Sequence, residues 1–337
     1  MLKSPRTIRL ALLLGGLLVL AVLPLLVTNR FVQSTVILIL MYGTMAQAWN
    51  IMGGYTGLIS IGQVAFFGLG GYVSSFLQVK YGVNPWPGML IGGLVTALFG
   101  VLVGLPVSRL RGRYFSIATM AMAEVMRISI SNWEFVGGAR GITLPIMHES
   151  WLNFQFHRTK VPYYYIILGI FLAVNLVLYW LERSRTGYYF RAVRENEDVA
   201  EGLGIDKRVY KLTAIAIAAF FTALCGSFLA QYSLYVEPDY VFNTSISITT
   251  AMIAVFGGIG SLAGPILGAS VLVPLSEYSR ALLGSSGRGL DLAIYGLLIM
   301  IFCIAEPGGL MGLWRRLRKR YKAGRQARLQ KGGTKDL

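Results

Sequence analysis

The sequence predicts an all-helical bundle of about ten membrane-spanning helices, and three observations carry that prediction. Of the 337 residues, 55% are hydrophobic and only 14% charged, with a mean hydropathy of +0.60, outside the ordinary range of soluble domains. The charges gather in short segments and leave apolar runs of roughly 20 residues, enough to cross a hydrocarbon core of about 30 Å as helix. Lysine and arginine alternate in density from one connecting segment to the next, as the positive-inside bias requires.

The first run, Leu10 to Val27, follows Lys3, Arg6 and Arg9. It is long for a signal peptide and no small-x-small cleavage pattern follows, so it reads as a retained helix. Further spans are predicted over 32–52, 58–78, 88–107, 114–132, 163–181, 211–232, 246–260, 263–283 and 290–305. With both termini on the inner side, the inner segments and the start of the 211–232 span hold 23 basic residues. The outer segments hold six: Arg30, Lys80, Arg140, Arg158, Lys160 and Arg288. Removing one helix would spoil the alternation after it, so parity supports ten. The chain thus divides into a membrane domain over 1–314 and a basic tail over 315–337.

The net charge of +16 would suggest nucleic acid in a soluble protein. Here ten basic residues lie between Arg315 and Lys335, directly after the last apolar run, which favours anionic lipid at a cytoplasmic surface. Only Tyr321 interleaves with them, against a stacking surface for bases. Cys225 and Cys303 fall inside apolar spans and read as small buried hydrophobes, while His148 and His157 stand isolated in one loop. No metal-ligand spacing is present. Neither a G-x-x-x-x-G-K-[ST] loop nor an H-E-x-x-H or G-x-S-x-G pattern occurs, so no catalytic residues are expected and the chain does not hydrolyse nucleotide by the first of these routes.

Two loops stand out. The outer loop of about 133–162 is rich in aromatics and glycine, and its length suggests a small cap with a docking surface rather than a plain connector. The inner loop of about 182–210 holds Arg191–Tyr210, where acidic and basic side chains crowd between long apolar spans. Its core, ENEDVAEGLGI, starts with carboxylates suited to a helix N-terminus and stops at Gly202 and Gly204. A short surface helix, preceded by Arg191 and Arg194, is the expectation. A solvated loop is the plain alternative.

Two of the densest glycine runs, Gly53–Tyr72 and Phe256–Gly268, each surround an inner turn between spans. Such runs either let helices approach closely or break a helix at membrane depth. Gln47, Asn50, Ser60 and Gln63 bracket the first run, and Glu124 with Arg127 lies in the least apolar span. These are candidates to line a polar path, with helix-to-helix hydrogen bonding as the equal alternative. Glu124 and Arg127, three apart on one helix face, are placed to pair.

Several segments in order resemble permease subunits of branched-chain and hydrophobic amino-acid ABC importers of the LivM type. They are YTGLISIGQVAFFGLGGY, GRYFSIATMAMAEVMR, RTGYYFRAVRENEDVAEGLGIDKRVYKLTAIAIAAFFTALCGSFLAQY, VFGGIGSLAGPILGA and the closing EPGGLMGL, from about Tyr42 to Leu313. The resemblance implies a type II ABC importer-like permease in a bacterial inner membrane. It implies pairing with a second related permease, two ATPase subunits that bind the ATP, and a periplasmic solute-binding protein. It also implies that Arg191, Arg194, Glu195, Asn196, Glu197, Gly202 and Gly204 form the element that meets the ATPase. Gln63 departs from the family, many members of which place His there; Gln keeps hydrogen bonding but cannot titrate. Similar permeases serve urea, short amides and aromatic acids, so the cargo stays open. The other readings are a self-sufficient secondary transporter, with Glu124, Glu277 and Asp291 as its possible ion-coupling carboxylates, and a membrane enzyme.

Overall fold

The computed structural model describes residues 29–156, 158–283 and 308–314, with positions 22, 24, 296, 297, 300 and 316 beside them. The expected spans 10–27 and 290–305, the tail 315–337 save Arg316, and His157, Asp291 and Cys303 lie outside the described residues.

Each of the eight expected spans within the described residues coincides with a helix. Helix α1 (Arg30–Trp49) starts where Asn29 accepts a hydrogen bond from the Phe31 amide, and it continues as a π-helical turn over Asn50–Tyr55. Then come α2 (Gln63–Tyr81), α3 (Pro85–Val107), α4 (Arg113–Ser131) and α5 (Val161–Arg183). The charged segment forms α6 (Arg185–Glu195) and α7 (Glu197–Gly202). The long α8 (Lys207–Ser233) follows, then the short α9 (Pro238–Val241), α10 (Thr244–Gly257) and α11 (Gly264–Leu283).

Five helical stretches are long and apolar enough to cross a membrane: Arg30–Tyr55, Pro85–Val107, Val161–Arg183, Lys207–Ser233 and Pro238–Gly257. Helices α2, α4 and α11, of 19, 19 and 20 residues, stand outside that group. With 14 residues, α10 rises only about 21 Å and crosses only together with α9.

One expected boundary is corrected. The 58–78 span begins as helix at Gln63, because residues 56–62 run as irregular chain inside the bundle. Gly57 takes a φ of 76°, open to glycine at little cost. The freed backbone groups find side-chain partners: Trp49 Nε1 donates to Ser60 O at 2.7 Å, Ser116 Oγ to Ile59 O at 2.5 Å, and Ile61 N to Thr119 Oγ1 at 3.3 Å. Non-helical backbone at this depth is tolerated because it is paired in this way.

Helices α2, α3 and α8 form the centre, and α1 packs against α5, α10 and α11. The α2–α8 crossing is a glycine contact. A Cβ on Gly226 would lie 1.9 Å from Phe67 O, and one on Gly70 would lie 2.4 Å from Ala223 O. Backbones meet there without side chains between them, the membrane counterpart of a core. The exposed face of α3 is aliphatic, with Leu90, Leu94, Leu98, Leu102 and Leu105.

The bundle has two differently built ends. At one, the loop expected as a cap folds into two 3-10 turns and β1 (Ile142–Thr143), which pairs antiparallel with β2 (Tyr235–Val236). Buried Gln155 pins this loop, its Oε1 accepting from Met147 N at 2.7 Å and its Nε2 donating to Pro145 O at 2.8 Å. Trp86 Nε1 ties it to α3 through Trp151 O at 2.7 Å. At the opposite end sits the α6–α7 hairpin.

Candidate functional site

The hairpin is assembled from local signals. Ser184 Oγ accepts from Gly187 N at 3.3 Å and starts α6, which buries Gly187, Phe190 and Val193 on one face. Asn196 interrupts it in an extended conformation and caps α7, its Oδ1 accepting from Asp198 N at 3.0 Å and Val199 N at 3.2 Å. Helix α7 has Glu197 and Asp198 in its first turn, where carboxylates suit the helix dipole. It ends at Gly202, and Gly204 turns the chain with a φ of 84°. The expected surface helix between the carboxylates and the two glycines is present.

Its charges are spent mainly on anchoring. Glu197 pairs at 2.7 Å with Lys211 of α8, whose side chain is 2% exposed and also donates to Ser108 O at 3.3 Å. Breaking such a buried pair leaves a charge unpaired. Arg111, in the loop between α3 and α4, grips Asp198 with two hydrogen bonds of 2.6 and 3.1 Å, and Lys207 meets Glu201 at 2.6 Å. The Arg111 guanidinium holds the Asp198 carboxyl below the usual carboxylate range. A cleft of about 280 Å³ opens beside α7, bordered by Arg109, Arg111, Lys207, Arg208 and Glu197 among others.

Arg191 lies 3.7 Å from Glu182, the carboxylate that also accepts from Tyr55 Oη at 2.5 Å, and its guanidinium sits 5.6 Å from the centre of the Tyr55 ring. Arg194 Nη1 donates to Gly54 O in the π-helical turn. Of the seven residues expected here, Glu195 alone is an exposed acid without an ion pair among the described residues. The outward surface also carries Tyr188, Val199 and Leu203, which are 63%, 59% and 76% exposed. Charge reading misses these apolar positions, and their signal was an unburied apolar residue on a short polar helix. Reading single segments also misses Arg111, Glu182 and Tyr55, since their partners lie far along the chain.

The two glycine turns meet beneath the hairpin. Asn50 Nδ2 donates to Ser261 O at 3.0 Å and its Oδ1 accepts from Gly260 N at 2.8 Å. Gln47 Nε2 donates to Leu262 O at 2.6 Å and to Asn175 Oδ1 at 2.9 Å. A Cβ on Gly54 would lie 2.8 Å from Gly260 N. This join is a seam held by side chains.

Gln47, Asn50, Ser60 and Gln63 are all buried and bonded within the chain, in keeping with the helix-to-helix alternative weighed for each. Ser60 Oγ accepts from Gly62 N at 3.2 Å, and Gln63 Nε2 donates to Met45 O at 3.0 Å and Thr222 Oγ1 at 2.7 Å. The Oε1 atoms of Gln47 and Gln63 are buried without a hydrogen-bond partner among the described residues. Glu124 lies apart from these four, on the open face of α4 with Tyr114, Ile117, Met120 and Ile128. It pairs with Arg127 at 2.6 Å, as the spacing predicts, and Arg127 reaches on to Asp239 of α9. Glu277 likewise meets Arg280 at 3.1 Å.

Comparison with known proteins gives a consistent set. A family model described as branched-chain amino acid transport system / permease component matches residues 31–303. The chain is 31% identical over 332 residues to the high-affinity branched-chain amino acid transport system permease protein LivM of Escherichia coli (strain K12), covering 92% of this chain and 76% of that protein. LivM of Salmonella typhimurium is 30% identical over the same shares. LivH of Salmonella typhimurium is 26% identical over 287 residues, 80% of this chain and 91% of that one. Among solved structures, PsaBC from Streptococcus pneumoniae in complex with Fab matches at 16% identity over 82% of this chain and 92% of that chain, with a TM-score of 0.46. That likeness is too weak to carry an argument.

Proposed function

Because the chain belongs to the branched-chain amino acid transport system permease family, we propose that it forms the translocation path of an ATP-driven importer for branched-chain, hydrophobic amino acids. It is a multi-pass membrane protein and a transport component, not an enzyme. Its partners in this reading are a second related permease, two ATPase subunits and a periplasmic solute-binding protein. The membrane is the bacterial inner membrane, with both termini and the hairpin in the cytoplasm and the aromatic loop outside.

The observation that carries the reading is the hairpin. It is a short, capped, charged helix pair, locked to α8 by Glu197–Lys211 and to the α3–α4 loop by Asp198–Arg111. A partner that pushes on it displaces whole helices rather than a loose loop, and rigid-body transmission needs that property. Glu195, Val199, Tyr188 and Leu203 offer the contact surface. The remaining residues of the expected coupling set act from below: Arg191, Arg194 and Glu197 anchor, Asn196 caps, and Gly202 and Gly204 end the turn.

For the path, α4 is the better boundary than α3. Its open face mixes Glu124 and Tyr114 with apolar residues, whereas the open face of α3 is aliphatic and suits lipid. Among the described residues the side-chain oxygens of Gln47 and Gln63 have no partner, which leaves them to meet solute if their helices part, with Asn50 and Ser60 bordering them. A secondary transporter finds less support, since Glu124 and Glu277 each pair with an arginine one turn on.

The test is purification with the neighbouring gene products, then uptake of labelled leucine into liposomes with ATP inside and binding protein outside. Reversal of charge in E195K is expected to reduce ATPase recovery and uptake together. Unchanged docking and uptake would sink the coupling assignment. ATP-driven uptake of urea or an aromatic acid in place of leucine would reassign the cargo.

A further inference from the structure

We propose that Arg194 is the positioning residue that locks the glycine seam to the hairpin, so that movement of α6 and the state of the seam are one event. This rests on the function proposed above and names the part within it. The guanidinium occupies the corner where three backbone segments meet. Its Nη1 donates to Gly54 O, its Cγ lies 3.4 Å from where a Cβ on Gly57 would stand, and Nη1 lies 2.6 Å from the corresponding point on Gly260. A side chain at Gly260 would take the room that the guanidinium occupies, while at Gly57 the stem lies at ordinary van der Waals distance.

The acceptor is chemically apt. Gly54 sits in the last residues of the π-helical turn, where carbonyls lack partners within the helix and the negative end of the dipole collects. A cation placed there is held more firmly than a neutral donor. The rest of the seam is already committed: Asn50 uses both ends of its amide on Gly260 and Ser261, and Gln47 reaches Leu262. Between α6 and the π-helical turn, Arg194–Gly54 is the hydrogen bond among the described residues. Arg191, 5.6 Å from the centre of the Tyr55 ring, adds a second contact of charge between the same two elements.

The consequence is mechanical. When α6 stays seated, Arg194 fills the corner and the turns of α1 and α10 cannot slide past each other. When α6 shifts away, the guanidinium leaves Gly54 O and the seam depends on Asn50 and Gln47 alone. Arginine suits this role better than lysine, because its planar fork keeps a fixed direction at the end of a partly packed stem.

The experiment uses the full complex in liposomes, comparing wild type, R194K and R194A by solute imported per ATP hydrolysed. In R194A the amount imported per ATP hydrolysed is expected to fall about tenfold, the size of effect that losing one charge-assisted hydrogen bond produces. R194K, which keeps one donor, should recover part of it. A wild-type ratio in R194A, or a parallel fall of hydrolysis and import, overturns the assignment. Backbone hydrogen exchange decides the geometry separately: R194A in the detergent-purified chain should exchange faster at both 54–58 and 258–262. Unchanged exchange at the second turn refutes the lock, even if the wild-type complex showed no ATP-driven import and thereby sank the function proposed above.

Discussion

Helices α2 and α8 cross through Gly70 and Gly226 with backbone against backbone, whereas Gly54 and Gly260 meet with side chains laid across the join. At the crossing, the contact is mainly van der Waals packing over a long surface, with Ser227 Oγ donating across it to Gly70 O at 2.9 Å. Opening it would leave a void with nothing to replace the lost contacts. At the seam, the contact is a handful of directed hydrogen bonds, each worth about 1 kcal/mol net and each replaceable by another donor or acceptor. The same residue type therefore builds a permanent joint in the bundle centre and a releasable one at the hairpin end.

Substitutions at the two joints should separate them sharply. The largest effect is expected for G226A, whose new methyl would stand 1.9 Å from Phe67 O. The backbone cannot yield as a side chain can, and overpacking of this kind costs roughly 1–3 kcal/mol or more. Loss of monodisperse protein or a much lower melting temperature is the expected result; an unchanged melting temperature would remove the distinction between the joints.

A smaller effect is expected for N50A, which deletes the bonds to Gly260 and Ser261 and leaves buried groups unpaired at about 1–3 kcal/mol. Here hydrogen exchange should rise at 258–262 and stay unchanged across the α2–α8 crossing. Spread of the increase into α8 would show that the seam and the centre open as one unit.

The smallest effect concerns the exposed clamp on α7. The Asp198 carboxyl is held below its ordinary range by Arg111. Its contribution is therefore complete at and above ordinary carboxylate titration and is lost as pH falls through the depressed folded value. In the detergent-purified chain, protease sensitivity of the hairpin should stay low at neutral pH and rise only on strong acidification. D198N should lack that acid step and show a slightly more sensitive hairpin at neutral pH. Because the pair is exposed, high salt should blunt the difference.

Much of the helix pattern was legible in the chain because its cause is one-dimensional. A helix that must cross lipid writes its length into consecutive apolar residues, so spans such as 88–107 and 211–232 fall within α3 and α8. The hairpin was legible for a similar reason: caps and stops act over three or four residues, as at Asn196 and Gly204. The start of α2 was not. Residues 56–62 are as apolar as a helix, and their irregular path depends on partners such as Thr119, Ser116 and Trp49, which no local pattern announces.

Composition and order determined that this chain is a membrane helix bundle with a charged, structured loop on its basic side, because hydrophobicity and charge act residue by residue. Tertiary structure alone decided what the glycines and charges do. Nothing local says that Glu197 turns to a buried lysine, that Arg194 reaches Gly54 across 140 residues, or that Gly226 rather than Gly54 is the fixed joint. Those outcomes depend on which surfaces meet at what distance, and that is set when the whole bundle packs.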